Sequence, residues 1–206
     1  MTSAHSGDER QRPLDKGAIF AGWVGIGMAV VIVISFGLVL AVQPLVWLAA
    51  PIAGILVGSY ANHRSARWRP RWRVVANAAW AGLVTGASLA IFYAAVRLLF
   101  VYFDAGYRPE PQGGQLECAR GPECVYIRYL EDGRGEDLAA AGVTDAAGFE
   151  RAMLREQLDG AFVLTGLTLT GALGAGLFRA VRRPPSEVAL DGASSGPRVM
   201  PADGPV

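Results

Sequence analysis

Residues 18–42 read AIFAGWVGIGMAVVIVISFGLVLAV, an apolar run with one hydroxyl, Ser35, and no charge. A helix rises 1.5 Å per residue, so about 20 residues cross the roughly 30 Å hydrocarbon layer of a bilayer. This run is long enough. A surface helix of a soluble protein would carry a polar face repeating with the helical period, and this run has none. It also exceeds the apolar core of a cleavable leader, about 7–15 residues, and no small-x-small cleavage site precedes a polar start. It is therefore read as an uncleaved signal anchor.

Three more apolar stretches follow, at residues 45–60, 74–103 and 160–181. The second is slightly short for a span. Together they predict an all-α membrane protein, a four-transmembrane-helix bundle with a small extracytoplasmic module between spans 3 and 4. Composition agrees. The 206 residues are 52% hydrophobic and 18% charged, with a mean hydropathy of +0.30. Soluble domains carry about 25% charged residues. Pro44 suits the first turn of the second helix, where its missing N–H costs nothing. Pro51 lies inside that helix and is expected to kink it.

The net charge of +1 conceals a segregation of charge. Residues 1–17 hold Arg10, Arg12 and Lys16. Residues 61–73 read ANHRSARWRPRWR and hold Arg64, Arg67, Arg69, Arg71 and Arg73 with no acid. Arg179, Arg182 and Arg183 close the last span and open the tail, residues 182–206. Residues 104–159 set six arginines against twelve acids, a net of −6. Basic loops stay on the cytoplasmic side. The expected arrangement is a multi-pass protein of the cell membrane, with both termini cytoplasmic and residues 104–159 outside. The two terminal arms are rich in Ser, Gly, Pro and charge and are expected to be disordered. Arg64, Arg67, Trp68, Arg69, Arg71, Trp72 and Arg73 form a lipid-anchoring set. Trp sits at headgroup depth, and each arginine attracts anionic lipid by about 1 kcal/mol. Beside two spans this outweighs a nucleic-acid reading of the same basic and aromatic residues, and no nucleic-acid partner is expected.

Cys118 and Cys124, in ECARGPEC, are the only cysteines. On an oxidising side they are expected to form a disulfide across a turn at Arg120-Gly121-Pro122-Glu123. VYIRYL, residues 125–130, alternates and is β-rich, which predicts a short strand and a disulfide-stapled hairpin. Both histidines, His5 and His63, fall on the other side, so a zinc site lacks ligands. Thr144 is a candidate cap for an amphipathic helix over residues 145–158. Phe149, Met153, Leu154 and Leu158 would form its apolar stripe. That helix either lies on the outer surface or runs into span 4.

Within the spans, small residues recur at every fourth position: Ala50, Gly54 and Gly58, then Ala78, Gly82, Gly86, Ala90 and Ala94, then Gly166, Thr170 and Gly174. Lipid offers no hydrophobic drive between helices, so close approach at small residues does that work. The helix-packing set is Gly54, Gly58, Gly82, Gly86, Gly166 and Gly174, serving the bundle itself or a homo-oligomer. Arg97 is the one charge well inside an apolar run. Near the outer end of span 3, it is expected to pair with Asp159 or Glu156, with Asp159 taken as the outer-leaflet partner.

No HExxH, GxSxG, P-loop or dinucleotide fingerprint occurs. No catalytic residue, metal ligand or cofactor site is therefore assigned, and the chain is not expected to be an enzyme. The expected function is a scaffold or accessory subunit displaying an acidic outer module, in contact with the bilayer, inner-face anionic headgroups and a membrane-protein partner or second copy. The alternative is a small-solute transporter or channel component, which a single intramembrane charge and no inverted repeat support poorly. One large loop between spans 3 and 4 resembles the tetraspanin layout. The loop here has two cysteines and no Cys-Cys-Gly, so no residue is carried over.

Overall fold

The computed structural model describes residues 14–39, 43–64 and 70–182. Helix α1 (Lys16–Val33) continues into a π-helical segment (Ile34–Val39). Then come α2 (Gln43–His63), α3 (Arg71–Tyr102), a 3-10 turn (Glu110–Gln112), α4 (Pro122–Glu131), α5 (Gly135–Ala140) and α6 (Ala146–Val181). The expectation of an all-helical protein holds among the described residues. Four helices, Lys16–Leu38, Pro44–His63, Arg71–Tyr102 and Ala146–Val181, are long and apolar enough to cross a membrane.

Helix boundaries move outward from the apolar runs. Asp15 precedes α1, so Lys16 and Gly17 are helical and not part of the arm. Pro70, extended at φ −61° and ψ 147°, caps α3. Arg71, Trp72 and Arg73 thus form the first turn of α3 and not a loop. Apolar content marks the bilayer core, whereas caps mark helix ends, and the two differ by a turn here.

Helix α6 packs against α3 and α2, and α1 packs against the same two helices. The α2–α3 pair is therefore the middle of the bundle, with α1 and α6 on its flanks. One buried cluster draws on all four helices: Ala29, Val33, Val46, Ala50, Leu89, Ala90, Tyr93 and Leu164. A second, of Ala18, Ala21, Val57, Ala61 and Ala81, sits nearer the start of α1. The start of α1, the end of α2, the start of α3 and the end of α6 share one end of the bundle, called here the termini end.

Side-chain size is distributed as lipid demands. Ala50, Ala78, Ala81 and Ala172 are 0% exposed, whereas Trp23, Ile91 and Phe162 are 69%, 65% and 76% exposed. Large side chains on the outside meet acyl chains as comfortably as each other, and small ones inside let backbones touch.

The tightest contacts against backbone run along α6. A Cβ on Gly54 would collide with the Thr168 carbonyl oxygen, and one on Gly171 with the Pro51 carbonyl oxygen. A Cβ on Gly58 would lie 2.7 Å from the Ala172 oxygen, and one on Gly176 2.7 Å from the Ala78 Cβ. Gly82 abuts the Ala172 Cβ, and Gly86 would bring a Cβ within 3.0 Å of the Thr165 Cα. The expected glycines of α2 and α3 thus lie at helix contacts. Those of α6 do not: nothing lies within 4 Å of a Cβ built on Gly166 or Gly174. The buried ridge is Leu164, Thr168, Ala172, Gly176 and Ala180. It also repeats every four residues, offset by two from 166/170/174. At 3.6 residues per turn, two residues are about 200° around the helix, so the two ridges face opposite ways. Helix α1 contributes a contact at Gly25, where a Cβ would overlap the Thr85 hydroxyl oxygen.

Several buried polar side chains find partners, as an apolar solvent favours. Thr85 Oγ1 donates to the Ala81 carbonyl at 2.7 Å and Thr168 Oγ1 to the Leu164 carbonyl at 2.8 Å. Asn62 Nδ2 donates to the carbonyls of Gly58 and Val74, both at 3.0 Å, tying α2 to α3. Asn77, 0% exposed, donates through Nδ2 to Asp15 Oδ2 at 2.9 Å, and its Oδ1 accepts from the Asp15 N–H at 3.2 Å.

Gly171→Leu is expected to force α6 off α2 at a cost of about 3 kcal/mol or more, because the obstacle is backbone. Gly166→Leu is expected to stay within about 0.5 kcal/mol of the parent. The fraction remaining monodisperse on size exclusion after heating in detergent separates the two.

Candidate functional site

Helices α3 and α6, with 32 and 36 residues, are about 48 and 54 Å long at 1.5 Å per residue, against a hydrocarbon layer of roughly 30 Å. Most of the surplus lies away from the termini end. There the two helices stay in contact: Tyr102 donates its hydroxyl hydrogen to Glu150 Oε1, and Arg97 Nη2 lies 3.4 Å from Glu156 Oε1. One antiparallel register holds from this pair through Gly86 beside Thr165 to Ala78 beside Gly176. That register sets residue 156 level with Arg97. The contact therefore falls on Glu156, the other acid weighed for this place, one turn before the assigned Asp159.

Residues 103–145 fold onto this double stem, and Asp104 organises them. Its Oδ1 accepts from the Gly106 N–H at 2.7 Å and faces Arg128 Nη2 at 2.8 Å, and its carbonyl accepts from the Gly121 N–H at 2.8 Å. One residue thus ties the end of α3, the loop before the disulfide, and α4. Arg108 adds a second tie, from Nη2 to Glu131 Oε2 at 2.6 Å and from Nε to the Gly114 carbonyl at 3.2 Å. Gly106 has φ +72°, and a Cβ there would press on Cys118 Sγ at 2.8 Å, so the turn beside the disulfide needs glycine.

Cys118 and Cys124 form the disulfide. The hairpin expected around them does not form: residues 125–130 lie inside α4. Pro122 takes the first helical turn, where it is well tolerated, and Glu123 complements the helix N-terminus. The aromatic residues that suggested a strand instead work at helical spacing. Tyr126 and Tyr129 both meet Phe149, at 5.9 and 5.3 Å between ring centroids. β-propensity reflects packing surroundings, and here the surroundings are a helix. Phe149, Leu138 and Val143 form the buried centre of the module.

Asp145, not Thr144, caps α6, accepting the Gly148 N–H on Oδ1 at 2.6 Å. The amphipathic helix and the fourth span are one unbroken helix across Asp159-Gly160. Its expected stripe divides: Phe149 and Met153 pack into the module, whereas Leu154 and Leu158 are exposed. The acids Glu117, Glu123, Asp132 and Glu136 are exposed on the module.

At the termini end, Arg64 lies over Phe20 at 4.8 Å and donates to the Tyr60 hydroxyl at 3.1 Å. Arg73 lies 5.5 Å from Trp72, which is 56% exposed. Arg67, Trp68 and Arg69 of the anchoring set, and the terminal arms up to residue 13 and from residue 183, lie outside the described residues. Among the described residues, no three His, Cys, Asp or Glu side chains gather as metal ligands. Comparison with known proteins finds no matching family model, no matching curated protein and no matching solved structure.

Sequence reasoning missed Asp104, Arg108 and Arg128. The signal available was Asp104-Ala105-Gly106 directly after an apolar run, the composition of an Asx turn. It also missed Asp15 and Asn77, the one carboxamide side chain in span 3.

Replacing both Cys118 and Cys124 by Ser is expected to cost about 2 kcal/mol of module stability, the loop-closure value for so short a loop. Proteolysis within residues 104–145 should then rise about thirtyfold. The heat-induced loss of the monodisperse bundle should not move.

Proposed function

We propose that this chain is a non-catalytic scaffold or accessory subunit of the cell membrane, multi-pass with both termini cytoplasmic, that holds an acidic module outside for a partner to bind. The observation that carries this reading is the construction of the module. Asp104, Arg108 and the disulfide tie its base, while Glu117, Glu123, Asp132 and Glu136 stand exposed on it. A rigid stem with outward acids suits recognition, because a preorganised surface loses little entropy on binding. Its sign suits a basic patch on another membrane protein or a second copy. The orientation rests on the arginines of residues 61–73 and 179–183 against the net acidity of residues 104–159. A transporter has less support, since backbone contacts at Gly54, Gly58 and Gly171 close the space between α2 and α6.

Native mass spectrometry of the complex extracted in nanodiscs tests the proposal. The 21.8 kDa chain should travel with a stoichiometric partner or second copy. Neutralising Glu117, Glu123, Asp132 and Glu136 together should weaken that association about tenfold or more, at a few tenths of a kcal/mol or more per exposed charge. A lone protomer, or association indifferent to the four changes, contradicts it.

A further inference from the structure

Beside the α2–α6 seam, on the outer surface of the bundle, lies a groove of about 910 Å³. Ligand pockets typically enclose about 300–1,000 Å³. Its floor and walls come from Pro51 and Ile55 on α2 and from Leu167, Gly174 and Phe178 on α6. Gly174 leaves its part of the groove open: a Cβ there would meet nothing within 4 Å. Gly171 meanwhile draws α6 onto the Pro51 carbonyl and fixes the groove's edge.

Arg179 and Arg182 stand at its mouth, at the termini end. Three residues apart in the last turn, they lie on one side of the helix. The Arg182 guanidinium sits 4.1 Å from the centre of the Phe178 ring, which holds it over the groove. Both arginines are exposed, and no acid among the described residues forms an ion pair with either. From Leu167 to Arg182 the groove runs roughly 22 Å at 1.5 Å per residue. One leaflet, from mid-bilayer through the headgroups, is about that deep. The groove is thus apolar where acyl chains lie and doubly cationic where phosphate lies.

We infer that this groove holds one anionic phospholipid, its phosphate between Arg179 and Arg182 and its chains along Gly174 and Phe178. A transmembrane helix in the same place would set its own apolar side chains against two guanidinium groups that pair with no acid among the described residues, whereas a phospholipid answers both halves of the site. The carbonyl end of α6 at this level repels an anion, so binding depends on the arginines and not on the helix end. The site shares no residue with the anchoring set read from the sequence between Arg64 and Arg73.

The test uses the full chain, stripped of lipid in mild detergent and mixed with phosphatidylglycerol or phosphatidylcholine of identical acyl chains. Native mass spectrometry should show one phosphatidylglycerol retained at collision energies that remove phosphatidylcholine, with a raised heat-unfolding midpoint. Arg179→Gln with Arg182→Gln should reduce retention at least about tenfold and abolish the midpoint rise without changing the lipid-free midpoint. Gly174→Leu, which fills the groove and keeps both arginines, should do the same. Equal retention of the two lipids, retention unchanged in either variant, or the same midpoint rise from glycerol phosphate without chains would each overturn the assignment.

Discussion

Backbone contact between α6 and the α2–α3 pair is the constraint on which the other features depend. In lipid, two apolar helices gain nothing by hiding apolar surface from each other, because acyl chains are equally apolar. What remains is dispersion, of which a gap of about 0.5–1 Å forfeits roughly a quarter to a half. Thr168 and Ala172 reach Gly54, Gly58 and Gly82, while Gly171 and Gly176 reach Pro51 and Ala78. The glycines therefore do not mark flexibility. They permit contact at the distance where many weak attractions add up, and they force the large residues to the outside.

That contact has a consequence at the far end. Because α3 and α6 hold one register over their shared length, they leave the bundle still paired. Tyr102–Glu150 and Arg97–Glu156 carry the pairing past the apolar seam. The module needs no independent core of the usual size, since Phe149 at the start of α6 supplies its centre and Asp104 at the end of α3 its principal tie. A segment of this length rarely buries enough apolar surface to fold alone. Here it borrows two preformed helix ends, and a disulfide holds the remaining loop.

Much of this was legible from residue order. Four spans followed from apolar length, the disulfide from two cysteines about a turn, and the small residues of α2 and α3 from their spacing. Three things were not. In α6, two i+4 ridges compete, 166/170/174 and 164/168/172/176, and composition does not say which one faces protein when both the partner and the solvent are apolar. In water the polar face would have decided; in lipid nothing does. The 125–130 segment carries residues favoured in strands, and only Phe149, distant in sequence, makes its helical spacing useful. Arg97 had two acids within one turn, and the choice of Glu156 followed from a register set by glycines many residues away. Each miss lies where tertiary contact, not local preference, selects among equivalent readings.

A membrane bundle that carries its module at the end opposite the start of α1 and the end of α6 is tested most directly by cysteine labelling in intact cells. Cys118 and Cys124 are paired, so an introduced thiol is the reactive one. Ala139→Cys is exposed on the module and His63→Cys is exposed at the termini end. A membrane-impermeant maleimide should label the first in intact cells and the second only after lysis. Labelling of both in intact cells, or of His63→Cys alone, would contradict the account.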